Sequence, residues 1–168
     1  MRELPSNWMR WLAVSAAVIA LDLATKAWVS AVFTPGETRE VTSFFNLVLM
    51  YNTGAAFSIL ANAGGWQRWF FTFVTVVISA VIVVMLRRQR GERAVSFALA
   101  LVLGGALGNL YDRLTLGHVV DFIQLHAAGY YWPAFNVADS AISVGVVLLI
   151  WDSLRGGAVA KAAGQEKP

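Results

Sequence analysis

The 168 residues suffice for one domain. The chain is 58% apolar and 14% charged, against about 25% charged for a soluble domain, and its mean hydropathy of +0.61 agrees, so lipid is the solvent in which to read it. The net charge of +3 is too small and too scattered for a nucleic-acid partner, and the lack of cysteine excludes disulfides, a thiol nucleophile and thiolate metal sites.

A bilayer core about 30 Å thick takes roughly 20 apolar residues in a helix. The first such run, 11–33, carries Asp22 and Lys26. It follows Arg10 as a signal peptide would, but it is long and lacks a small-x-small site closing a short apolar core, so it is expected to stay as a helix. The connection 34–68 follows. Its Phe45, Leu47, Leu49 and Tyr51 alternate as in a strand, and Ala61-Asn62-Ala63-Gly64-Gly65 reads as a turn. An uncharged helix is expected over 69–86, a third over 94–112 that carries no charge as far as Tyr111, and a fourth, holding Asp139, over 134–152. Gly104 and Gly108, four apart, permit close helix packing. In the connection 113–133, Val119, Asp121, Ile123 and Leu125 alternate again.

The expectation is an all-α membrane protein of four transmembrane helices with a small extracytoplasmic β-sheet, one domain over 1–155 and a disordered polar tail over 156–168. The stretch Arg87–Arg93 holds four arginines in seven residues and belongs in the cytoplasm. Both basic termini then share that side, and the loops 34–68 and 113–133 face outward.

Depth singles out a site. At about 1.5 Å per residue, Asp22 lies roughly 18 Å and Lys26 roughly 24 Å above the cytoplasmic end of the first helix. Asn109 lies roughly 24 Å up the third and Asp139 roughly 20 Å up the fourth. Asp112 and Arg113 follow at the outer edge, and Asn52 and Asp121 sit in the outer loops. Polar groups from four stretches converge on one outer layer, and ionisable groups inside a membrane are functional candidates.

Within that layer Asp121 and Asp139 form a possible pair. Two close carboxylates share one proton, so one can activate water while the other polarises a carbonyl and protonates a leaving amine. The plainer alternative is a cap at the start of the fourth helix and a solvated loop acid. Asp22 and Lys26, four apart, read as an ion pair. A Ser30–Lys26 dyad is the alternative, although Asp22 favours the charged ammonium, which is no base. Asn109, Asp112 and Arg113 share a helix face. Arg113 can hold Asp112 or Asp139, grip a substrate carbonyl, or simply anchor at the interface. Asn136 can cap the fourth helix or orient a carboxylate, and Asn52-Thr53-Gly54 reads as a turn. His118 and His126 beside Asp121 fit no metal spacing, so neither metal nor cofactor is expected.

At these residues the sequence resembles lipoprotein signal peptidase, or signal peptidase II, an aspartyl intramembrane peptidase family. The pieces are Asp22-x-x-x-Lys26, Asn52-Thr53-Gly54-Ala55-Ala56-Phe57, Gly108-Asn109-Leu110-Tyr111-Asp112-Arg113, Val119-Val120-Asp121-Phe122 and Phe135-Asn136-Val137-Ala138-Asp139. Each is modest alone, but five in order are specific. Leu23 departs from the glutamine common in the family at that place.

The resemblance implies a catalytic pair at Asp121 and Asp139, with Asn52, Asn109, Arg113 and Asn136 lining or supporting the site and Asp22 and Lys26 structural or substrate-supporting, and Gly54 gives room for an approaching substrate backbone. It implies a diacylglyceryl-modified prolipoprotein as substrate, cut just before its lipid-bearing cysteine at the outer face of the bacterial inner membrane, by an enzyme of a family that globomycin inhibits; the chain is expected to act as a monomer. A transporter would instead spread its polar residues through the full depth of the membrane, and a non-catalytic scaffold would tolerate neutral substitutions at both aspartates.

Overall fold

The computed structural model describes residues 8–54, 65–89 and 93–165, with side chains to 155. The element order is α1 (Met9–Val32), β1 (Thr38–Thr42), β2 (Phe45–Asn52), α2 (Trp66–Arg88), α3 (Arg93–Thr115), β3 (Val119–Ala127), β4 (Tyr130–Tyr131) and α4 (Val137–Gln165). The apolar span of α4 is Val137–Arg155, and all four helices are long and apolar enough to cross a membrane. Residues 55–57 of the second motif, the 61–64 part of the expected turn, and 90–92 of the basic stretch lie outside the described residues.

Helix α3 is the hub. Two-thirds of its apolar window (67%) is buried, against 17–22% in the others, which turn Phe73, Val81 and Val147 outward as lipid-facing helices do. Small residues let α3 approach two neighbours closely. A Cβ at Gly104 would lie 2.7 Å from Val18 Cβ and 2.8 Å from the Ser15 carbonyl on α1, and one at Gly145 of α4 would lie 2.7 Å from the Ala98 carbonyl on α3. Ser15 Oγ donates to the Ala100 carbonyl at 2.8 Å, which satisfies a hydroxyl that would otherwise be buried unpaired. Ile82 and Leu86 of α2 pack on Val95, Leu99 and Leu103 of α3.

At one end of the bundle stands an antiparallel sheet in the order β1-β2-β3-β4. Leu49, Val120 and Phe122 pack against Val29 and Phe33 at the end of α1, so the sheet is fixed to the bundle by a core of its own. Two of its strands sit where residue alternation suggested, but the alternation is broken. The pairing Leu47↔Ile123 resumes at Met50↔Asp121, one residue out of step. This bulge buries Val48 and Leu49 side by side and leaves Tyr51 exposed. All five residues of β1 are exposed and β4 has two residues, so neither carries the half-buried pattern that marks a strand.

The helices extend one to three residues beyond most of the expected ends, with α4 as the exception. It begins at Val137 rather than 134, and its backbone runs as helix to Gln165, past the boundary at 152 and through most of the stretch whose composition suggested a disordered tail. The late start has a backbone cause. Phe135 exchanges hydrogen bonds with Ile123, donating at 3.0 Å and accepting at 2.8 Å, and Trp132 donates to the Leu125 carbonyl at 2.8 Å. Residues 132–135 therefore run beside β3 and deliver Asn136 to it.

Candidate active site

The site begins with a buried ion cluster between α1 and α3. Lys26, 3% exposed, lies 2.8 Å from Asp22 Oδ2 and 2.9 Å from Asp112 Oδ2, and its Nζ donates to Asn109 Oδ1 at 3.0 Å. The Asp22–Lys26 pair is as its spacing suggested. The Ser30–Lys26 alternative is not formed: Ser30 is exposed, and the ammonium is committed to these three acceptors. Both acids also tie down backbone. Asp22 Oδ1 accepts from Ala138 N–H on α4 at 2.9 Å, and Asp112 Oδ2 from Val120 N–H on β3 at 3.1 Å. One cluster thus fixes α1, α3, α4 and β3 to one another.

Arg113 is placed differently from one of its readings. It forms no ion pair with Asp112, whose partner is Lys26. Its Nη2 donates to the Gly54 carbonyl at 3.2 Å, and its guanidinium stands 5.5 Å over the Phe71 ring. It therefore ties Gly54, just after β2, to α2.

Asp121 on β3 and Asp139 in the first turn of α4 are joined through Asn136. Asn136 Nδ2 donates to Asp121 Oδ1 at 2.7 Å. Asn136 Oδ1 accepts from Asp139 N–H at 2.9 Å, and Asp139 Oδ2 in turn accepts from Asn136 N–H at 3.3 Å. That reciprocal pair is a capping box, so Asn136 caps the helix and orients a carboxylate at once, and Asp139 is both a cap partner and a site acid. The remaining oxygens are held from the sides: Asn109 Nδ2 donates to Asp139 Oδ1 at 2.8 Å, and Asn52 Nδ2 to Asp121 Oδ2 at 3.1 Å.

Asp121 is 3% exposed. Burial, and after it the negative charge of Asp139, push its pKa up to about 7, against the opposing hydrogen bonds from Asn52 and Asn136 and the charge of Lys26. A carboxyl poised there carries a proton near neutrality and can give it up.

A cleft of ≈ 180 Å³ opens beside Asp121 and Asn52, walled by Met50, Tyr51, Gln124, Tyr131, Trp132, Pro133 and Ala134. The sequence reading missed Gln124 and Tyr131, because strict alternation along β3 puts Gln124 on the face opposite Asp121. The bulge in β2 and the β3–β4 hairpin, where His126 pairs with Tyr131, bring them to one opening. Among the described residues no group of acids and histidines is arranged to hold a metal. His118 packs on Tyr51 with ring centroids 4.2 Å apart, and His126 Nε2 lies 3.1 Å from Asn46 Oδ1.

Residues 14–155 match the family model described as signal peptidase (SPase) II. The chain belongs to the signal peptidase II family. Curated relatives bearing the name lipoprotein signal peptidase include those of Cupriavidus necator, 57% identical over 86% of this chain and 83% of the relative, and Azoarcus sp., 52% identical over 94% and 90%. Two solved structures described as bacterial membrane enzymes share the fold. One has a TM-score of 0.79 at 31% identity, covering 94% of this chain and 92% of the other, and the second has 0.76 at 33%, covering 86% and 92%. As a signal peptidase II the chain is a protease, and its four apolar helices make it a multi-pass membrane protein.

Proposed function

We propose that this signal peptidase II is an aspartic endopeptidase that removes the signal peptide from diacylglyceryl-modified bacterial prolipoproteins, cutting just before the lipid-bearing cysteine. It works as a monomer in the inner membrane, with both termini cytoplasmic, the site facing the exterior, and globomycin as an inhibitor. The reading rests above all on Asp121 and Asp139 sharing Asn136, each with a second amide donor.

In the reaction the ionised carboxylate, Asp139, takes a proton from water as the oxygen attacks the scissile carbonyl. Protonated Asp121 hydrogen-bonds the carbonyl oxygen as it gains charge. The proton taken from water passes to the leaving nitrogen, the C–N bond breaks, and a carboxyl and the amine of the lipidated cysteine are released. The asparagine amides hold both acids at fixed geometry and cost no reorganisation. Substrate fit follows from place: a signal helix crossing the bilayer presents its cleavage point where its lipid chains hold it, at the level of the acids.

Two measurements test this. Purified protein in lipid should cut a diacylglyceryl-modified precursor and leave the unlipidated precursor intact, with mass spectrometry placing the new N-terminus at the modified cysteine. Equal cleavage of both precursors, or a cut elsewhere, defeats the substrate assignment. In addition, since the proton on Asp121 is lost as pH rises through about 7, kcat/KM should fall above that point by about tenfold per pH unit. A rate still flat at pH 9 removes Asp121 from the role of acid.

A further inference from the structure

Three asparagines aim their amide N–H groups at the two carboxyls, and an amide can be turned either way unless something fixes it. For Asn52 the carbonyl oxygen is held by Gly54 N–H at 2.9 Å. For Asn136 it is held by Asp139 N–H at 2.9 Å. Both of these are backbone donors. Asn109 differs: its Oδ1 accepts from Lys26 Nζ at 3.0 Å and, more weakly, from Asn136 Nδ2 at 3.3 Å. An ammonium has three donors and no lone pair, so a turned Asn109 would set N–H against N–H⁺ and present an oxygen to the Asp139 carboxylate.

We propose that Lys26 is a positioning residue for catalysis, whose buried ammonium locks the amide of Asn109 so that its N–H groups hold Asp139 Oδ1. The inference rests on the dyad reading above and adds a role for a side chain that touches neither acid. Lys26 sits under the site, buried and tied to Asp22 and Asp112, so its position is set by α1 and α3 and not by substrate. Its effect therefore belongs in turnover rather than in binding.

The test compares Lys26→Met, Asn109→Ala and the double variant in lipid with lipidated precursor. The expected result for Lys26→Met is a kcat lower by roughly 10- to 100-fold, the scale of a misplaced catalytic group, with KM within about threefold. Asn109→Ala should lose a similar factor, and the double variant should be no more than about threefold worse than Asn109→Ala, because both changes remove the same restraint. Wild-type kcat in folded Lys26→Met, or multiplying losses in the double variant, overturns the proposal.

Lys26→Met leaves two buried carboxylates without their cation and can unfold the protein. The second comparison is Lys26→Met/Asp112→Asn against Asp112→Asn alone, which relieves one of those charges. A further fall of tenfold or more supports the role, and equal kcat overturns it. Loss of activity in Asp139→Asn alongside unchanged kcat in Lys26→Met defeats only this inference, whereas an active Asp139→Asn defeats the dyad beneath it.

Discussion

Asp139→Asn should abolish turnover, by at least about 10³-fold, while the protein stays folded and in the membrane, and Asp121→Asn should do the same. The two variants are not equally clean. Asp121 receives amide N–H groups on both oxygens, from Asn136 at 2.7 Å and Asn52 at 3.1 Å. An amide put there must turn its own N–H₂ toward one of them, leaving a buried donor unmatched at a cost of about 1–3 kcal/mol. Asp139 has one strong amide donor, Asn109 at 2.8 Å, and one long backbone donor at 3.3 Å. An amide introduced at that position can keep its oxygen on the strong donor, so Asp139→Asn removes the charge with the least disturbance. Lipidated precursor accumulating in cells, with variant protein recovered from membranes at wild-type level, is the expected picture. Wild-type processing by either folded variant ends the aspartic mechanism.

Which contacts around the two acids can be read in the sequence is a matter of which signals are local. Asp139 stands out because an acid is expensive in an apolar helix, a cost visible residue by residue, and Asp121 because its loop lies at the same outer level. The link between Asp112 and Lys26 joins α3 to α1 across the bundle, and no periodicity reports it; Arg113 on the same helix face is one of several partners the sequence offers. In the sequence the cap and the carboxylate holder read as alternatives for Asn136, because no local pattern shows that Asp121 lies within its reach. Here the strand-like run 132–135 brings a helix N-terminus against β3, and one amide serves both. The close packing that Gly104 and Gly108 permit is against α1, where a Cβ built on Gly108 would lie 2.7 Å from Asp22 Oδ2. The opposite face depends on Gly105 and Gly145, which make no four-residue repeat with them.

Gly105 should therefore be the position where the smallest change does the most structural harm. A Cβ there would run into the Ala138 carbonyl oxygen and come 2.8 Å from Ile142 Cγ1. The Ile142 side chain can rotate, but the Ala138 oxygen is backbone in the first turn of α4 and cannot. Gly105→Ala must push α4 away from α3, which costs about 1–3 kcal/mol in overpacking. The displacement has a second consequence, because Ala138 immediately precedes Asp139 and gives its own N–H to Asp22 at 2.9 Å. Moving that turn lengthens the 2.8 Å contact between Asn109 and Asp139, and a shift on the order of 1 Å at a reacting group costs about 10²-fold in rate. The expected result is a lower unfolding temperature in detergent together with a kcat loss that persists at temperatures where the variant is fully folded. Val144→Ala, on an exposed face of α4, should leave both unchanged. Gly105→Ala with wild-type kcat would mean that the geometry of the dyad does not depend on the α3–α4 approach.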